Sequence, residues 1–227
     1  MEFKTITKNF VMIARLKGNT KTGKGLMISV LPKNGLDLES VRSKGASSCG
    51  DCPHAKAQGK RKTGTCYTYK RPGGGQGVLG GLQKVFETCD EVTIDKFINQ
   101  SIVLAEMAGF LRLGEFGDPA ADKQTAEICA AISQGVNSNT KKAAYTHQWR
   151  KAKANALKGL AMASCDTTEE TEKALAAGWS VFQVVERKED IDDAIHCPAQ
   201  KTNGIKNCNT CELCDGTKNQ TVKINLH

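Results

Sequence analysis

Between residues 110 and 185 the chain alternates short apolar runs with amphipathic segments, and that rhythm admits few folds. Residues 110–116 are apolar with charged interruptions, the pattern of a strand. Asp118-Pro119 reads as the N-cap and first-turn proline of a helix that runs to Gln134 and stops at Gly135. Residues 142–147 predict a second strand, and a short segment of Lys and Ala predicts a helix after it. Residues 160–164 predict a third strand. Thr167-Thr-Glu-Glu170 is a capping box for a helix that ends at Gly178. Residues 179–185 are nearly all apolar, as a strand covered on both faces would be. Such β-α-β-α-β-α-β order calls for a parallel sheet with right-handed crossovers. The expected class is therefore α/β: a partial (half) β/α barrel or a small parallel sheet.

Upstream, residues 94–108 are apolar at helical spacing and Gly109 ends them as a C-cap glycine would. Residues 3–16 and 26–31 are rich in Thr, Ile, Val and Phe and suggest a β-hairpin or two short strands. The expected organisation is N-terminal strands over 1–44, a cysteine- and glycine-rich loop with a helix over 45–93, the β/α core over 94–196, and a cysteine-rich tail over 197–227. Gly75-Gln-Gly77-Val-Leu-Gly80 matches G-x-G-x-x-G literally. A dinucleotide fingerprint needs a parallel strand after its helix, and here a second helical pattern follows. A flexible or closely packed glycine turn is the better reading.

Ten cysteines carry the chemistry, and seven of them fall into two clusters of metal-ligand spacing. Cys197, Cys208, Cys211 and Cys214 form C-P-x9-C-x2-C-x2-C. Two-residue gaps let successive thiolates converge, and a triple run with a remote Cys-Pro is the arrangement of a 4Fe–4S ligand set. Zinc is the alternative, although four-cysteine zinc sites usually pair two C-x2-C knuckles. Cys49, Cys52 and Cys66 form C-x2-C-x13-C and predict a second metal centre, with Cys89 or His54 as candidate fourth ligand. A chain of 227 residues can bury a core without disulfide staples.

In a parallel α/β fold the chemistry sits at the carboxyl ends of the strands. Glu115, His147 and Gln183 each end or close a predicted strand and are the candidate catalytic residues. Asp118 and Asp166 occupy similar places but read more simply as helix N-caps. Cys165 is either a small core residue or a site thiol. If all of these face one rim, Cys197 tethers the metal cluster there.

The formal charge is +8 and the pI about 9.0, which favours an acidic partner. A mild basic cluster, Lys56, Lys60, Arg61, Lys62, Lys70 and Arg71, points to nucleic acid or a host protein. An aromatic content of 5% leaves few platforms for base stacking. No run of about 18 apolar residues and no signal-peptide pattern occur, so a cytoplasmic protein with reduced cysteines and no membrane partner is expected.

Cys49-Gly-Asp-Cys52-Pro-His54, Gly64-Thr-Cys66-Tyr67, Arg112-Leu-Gly-Glu-Phe-Gly-Asp118-Pro119 and the cysteine-rich tail together resemble a family of uncharacterised bacteriophage proteins, over roughly residues 45 to 215. The strand order and early cysteine loop are also similar to the partial β/α barrel of radical SAM enzymes. The chain lacks that family's C-x3-C-x2-C. The resemblance implies an iron–sulfur cluster at a barrel mouth and, for a phage protein, residence in the host cytoplasm. Two functions follow as expectations. One is an iron–sulfur redox or cluster-dependent enzyme, or a cluster-stabilised regulator. The other is a zinc-stabilised module that binds nucleic acid or a host protein.

Overall fold

Two consecutive ten-residue strands, buried along most of their length, anchor the molecule. In the computed structural model, which describes residues 1–33, 47–55, 76–185 and 194–225, they are β2 (Phe10–Asn19) and β3 (Gly23–Pro32). With β1 (Glu2–Ile6) they form an antiparallel meander. Its side chains split by the two-residue period of a strand. Met12, Ala14, Leu26, Ile28 and Val30 enter one core, while Val11, Ile13 and Leu31 enter another on the opposite face.

The alternation read from the sequence then builds outward from β3. Helix α1 (Gln76–Thr88) and the two-residue β4 (Asp90–Glu91) lead into α2 (Ile94–Ala108). Next come β5 (Phe110–Leu113), α3 (Lys123–Gly135), β6 (Lys141–Thr146), a 3-10 turn (Ala152–Leu157), β7 (Met162–Cys165), α4 (Thr168–Ala176) and β8 (Val181–Val185). The tail adds β9 (Ile195–His196), the single-turn α5 (Pro198–Lys201) and β10 (Thr221–Asn225). One ten-stranded sheet results, in the order β4-β1-β2-β3-β5-β6-β7-β8-β10-β9. All pairs from β3 through β5, β6, β7, β8 and β10 to β9 are parallel. Among the described residues the sheet is open, with β4 and β9 as its edges.

Helices α2, α3 and α4 contribute to the core that includes Leu111, Leu113, Ala144, Ala163 and Val181, with Phe97 of α2 fully buried in it. The opposite face is covered by α1, through Leu82 and Val85, and by the cysteine tail, through Cys208 and Cys214 against Met27, Phe110 and Ala143.

Several local expectations shift. Helix α2 has the predicted ends: Thr93 accepts from the Lys96 backbone N–H, and Gly109 adopts φ 71° as C-cap. Helix α3 starts four residues later than Asp118-Pro119 suggests, because Asp122 makes the reciprocal capping box with Thr125. Likewise Thr167, not Asp166, caps α4. Gly77 and Gly80 lie inside α1, so residues 76–80 of the G-x-G-x-x-G run are helix rather than a turn, and Gly75 lies outside the described residues. Strand β10, which no local sequence pattern announces, inserts the tail between β8 and β9. Cys66, Lys56, Lys60, Arg61, Lys62, Lys70 and Arg71 lie outside the described residues. Among the described residues, no helix is long and apolar enough to cross a membrane.

Candidate metal centres

At the carboxyl end of the parallel strands, a buried carboxylate organises the rim. Asp118 accepts from Thr146 Oγ1 at 2.7 Å, from the Ala120 N–H at 2.8 Å and from the His147 N–H at 2.9 Å. Burial raises its pKa, and those hydrogen bonds only partly offset the rise. Asp118 thus fixes the backbone from which the His147 side chain departs.

The early cysteine loop docks on this rim. The Asp118 N–H donates to the Ser48 carbonyl at 2.7 Å, Gln148 Nε2 donates to the Cys49 carbonyl at 3.2 Å, and Lys151 pairs with Asp51. Gly50 has φ +56°, and a Cβ there would come within 2.7 Å of the Gln148 amide, so glycine is required at this approach. The docked loop carries His54 to Asp166: Nε2 and Oδ1 are 2.7 Å apart. His147 Nε2 stands 3.5 Å from Asp166 Oδ2, an ion-pair contact outside hydrogen-bond geometry, and that buried nitrogen has no hydrogen-bond partner. The two imidazoles meet edge to face, centroids 5.7 Å apart. Among the described residues, His54, His147 and Asp166 are the one group of three His, Cys, Asp or Glu side chains whose ligand atoms all lie within 4.8 Å of one another.

Charge couples the three. Burial alone would lower the His147 pKa, but Asp166 and the Cys52 thiol beside it outweigh that and raise it to about 10. Burial alone would raise Asp166; its contacts with His147 and His54 hold it well below the usual carboxylate range.

The cysteine tail is anchored elsewhere. The Cys208 and Asn209 N–H groups donate to the carbonyls of Lys21 and Thr22 in the β2–β3 turn. Lys141, at the start of β6, pairs with Glu212. Ser180, just before β8, donates to the Gly216 carbonyl, and Gly216, at φ +82°, approaches Ala161 so closely that a Cβ would lie 2.5 Å from its nitrogen. These are amino ends of parallel strands. The tail therefore packs away from the rim, contrary to the expected tether through Cys197. Cys197 itself follows β9 and donates its N–H to the Lys223 carbonyl of β10.

Cys197, Cys208, Cys211 and Cys214 nevertheless come together, lining one small, partly enclosed cavity with Ala143, Tyr145 and Val222. Burial pushes the Cys214 thiol up to about 12, helped by its neighbours Cys197, Cys208 and Cys211; a hydrogen bond with the Tyr145 hydroxyl acts the other way. Cys208 is raised mainly by burial, with Arg112 opposing. The Arg112 guanidinium lies 4.3 Å above the Tyr145 ring. Four sulfurs so placed cannot all be thiolates without a compensating cation, which is the electrostatic condition a metal group meets.

The remaining predicted residues scatter. Glu115 is held by Arg15 at 3.0 Å and Lys17 at 2.5 Å, and accepts from Ser29 Oγ at 3.4 Å. Gln183 lies buried in mid-β8, in register with Cys165 and Lys223, not at a strand end. Only His147 of the three joins the rim cluster. Cys52 lies beside His147, whereas Cys49 and Cys89 both pack against the apolar cluster of Val11, Ile13 and Phe116. The pairing of His54 with Asp166 is new from the structure. Its signals in the sequence are separate ones: Asp166 at a predicted strand end, and His54 as a candidate metal ligand beside Cys49 and Cys52.

In comparisons with known proteins, the chain matches no protein-family model, no curated protein and no solved structure.

Proposed function

We propose that this chain is an iron–sulfur protein in which Cys197, Cys208, Cys211 and Cys214 hold one 4Fe–4S cluster, and that it works as a redox or cluster-dependent enzyme or a cluster-stabilised regulator. The carrying observation is that all four thiols line one cavity although they arrive from separate anchors. Their spacing argues against zinc. Tetrahedral Zn–S bonds of about 2.3 Å put sulfurs about 3.8 Å apart. Here no three of the four sulfurs lie within 4.8 Å of one another, wider than a zinc tetrahedron sets them. When bound, such a cluster supplies electron transfer at a potential set by its surroundings. Tyr145 is placed to tune it through its hydrogen bond with Cys214, and Arg112 to offset negative charge. The resemblance to uncharacterised bacteriophage proteins and to radical SAM partial barrels belongs to the same reading.

Anaerobic purification tests it. The expected preparation is coloured and oxygen-sensitive, with about four iron and four sulfide per chain, and Cys211→Ser loses them. A colourless chain with zinc in the quartet, or iron unchanged in Cys211→Ser, would overturn it. The first result would support the zinc-stabilised binding module instead.

A further inference from the structure

We propose that His54, His147 and Asp166 bind one divalent first-row transition ion, independently of the cysteine quartet. Three separate elements deliver these ligands: the docked loop, the end of β6 and the end of β7. The distances suit a shared metal. Bonds of about 2.0–2.1 Å in tetrahedral geometry set neighbouring donors about 3.4 Å apart. The carboxylate stands 2.7 Å from one imidazole nitrogen and 3.5 Å from the other.

The position of the buried His147 Nε2 favours a shared metal over an ion pair alone. A histidine kept only to neutralise Asp166 would donate a hydrogen bond to it, as His54 is placed to do. His147 Nε2 is buried and stands 3.5 Å from the carboxylate, outside hydrogen-bond geometry. A buried polar atom without a partner costs stability, and a metal ion bound in place of the ring proton supplies the partner. A metal ion shared with Asp166 and His54 removes that cost.

The supporting contacts are those a ligand set needs. Asp118 accepts from the His147 N–H. The Asp166 N–H donates to Glu170 Oε2 at 2.9 Å, while Thr167 caps the same helix. The backbones of His147 and Asp166 are therefore fixed before the metal arrives. Two nitrogens and one carboxylate suit zinc or ferrous iron, and three protein ligands leave coordination positions open for water or a substrate oxygen.

The test uses the full chain with Zn2+ and Co2+ as probes. Zinc affinity and stoichiometry are measured by chelator competition for the native chain, for Asp166→Asn and for His54→Ala. Iron and sulfide are assayed in the same samples, so loss of the rim metal is separable from any failure of the quartet to hold a cluster. The native chain is expected to bind one zinc that both variants lose, with affinity falling by more than the roughly 10–100-fold that outer-shell changes cost. Zn2+ should raise the melting temperature of the native chain and of neither variant, as binding to the folded state requires. Cobalt d–d bands should disappear in the variants. His54 sits on a surface loop, so His54→Ala remains informative if Asp166→Asn fails to fold. Equal zinc stoichiometry and affinity in the native chain and His54→Ala would overturn the proposal.

Discussion

His54 Nε2 and Asp166 Oδ1 lie 2.7 Å apart although 112 positions separate them in the chain. Asp166 is available for that contact because the neighbouring residue does the capping. Thr167 accepts from the Glu170 N–H, and Glu170 returns a carboxylate to the Asp166 N–H.

Replacing Thr167 by Ala should therefore act twice. Loss of the N-cap should cost about 1 kcal/mol in urea unfolding. It should also loosen Asp166 and weaken zinc binding at the rim by less than removal of Asp166 does. A variant with native stability would show that the cap contributes nothing here.

Asp118→Asn tests how the rim is braced. The carboxylate faces three donors: the Thr146 hydroxyl and the N–H groups of Ala120 and His147. An amide in its place sets an N–H2 against a donor in a buried site. The expected loss is about 1–3 kcal/mol, with no change in cysteine reactivity at the distant tail. A change under about 0.5 kcal/mol, the range of ordinary surface substitutions, would mean that the site admits water.

The sequence made the parallel core legible because its signals are local. Thr93 and Gly109 bracket α2, and the apolar runs at residues 160–164 and 179–185 flank α4 at strand length, while the segment after α3, Lys-Lys-Ala-Ala-Tyr-Thr, gives a weaker signal. Asp118-Pro119 misled because it imitates an N-cap, yet its carboxylate is consumed by β6 across the sheet. Strand β10 escaped because Thr-Val-Lys-Ile-Asn is short and half polar, with only Val222 fully buried. The cysteine quartet could be read from spacing alone. Its placement could not: the anchors to Lys21, Thr22 and Ala161 are long-range backbone contacts with no sequence periodicity. For the same reason Glu115, expected beside His147, is instead claimed by Arg15 and Lys17 of a strand 100 residues away.

Tyr145→Phe probes the quartet without removing a ligand. The hydroxyl hydrogen-bonds Cys214, and the ring is packed against Phe182 at 4.3 Å and under Arg112. Phenylalanine keeps the ring and its packing. A hydrogen bond to a ligand sulfur favours the more negative, reduced cluster, so its loss should lower the reduction potential. Iron and sulfide content should stay at the native value. An unchanged potential in a dye-mediated titration would remove Tyr145 from the tuning role.

Cys129 and Cys165 should behave as core residues. Both are fully buried, Cys129 in α3 and Cys165 at the end of β7. Burial pushes the Cys165 thiol up to about 12, with Glu170 adding to the rise and Arg150 opposing it. Cys129 is raised for the same reason. The thiolate is the reactive form. Against an ordinary thiol at 9.0, a value of about 12 cuts the thiolate fraction at neutral pH about a thousandfold, before access is considered. Iodoacetamide under native, metal-free conditions should therefore modify partly exposed Cys197 and Cys211 while sparing Cys129 and Cys165. In guanidinium all of them should react. Peptide mapping after timed quenching reads this directly. Native modification of Cys165 at the rate of Cys197 would mean that β7 opens at its carboxyl end, one residue from Asp166, and the rim ligand set would lose the rigid support on which its metal affinity depends.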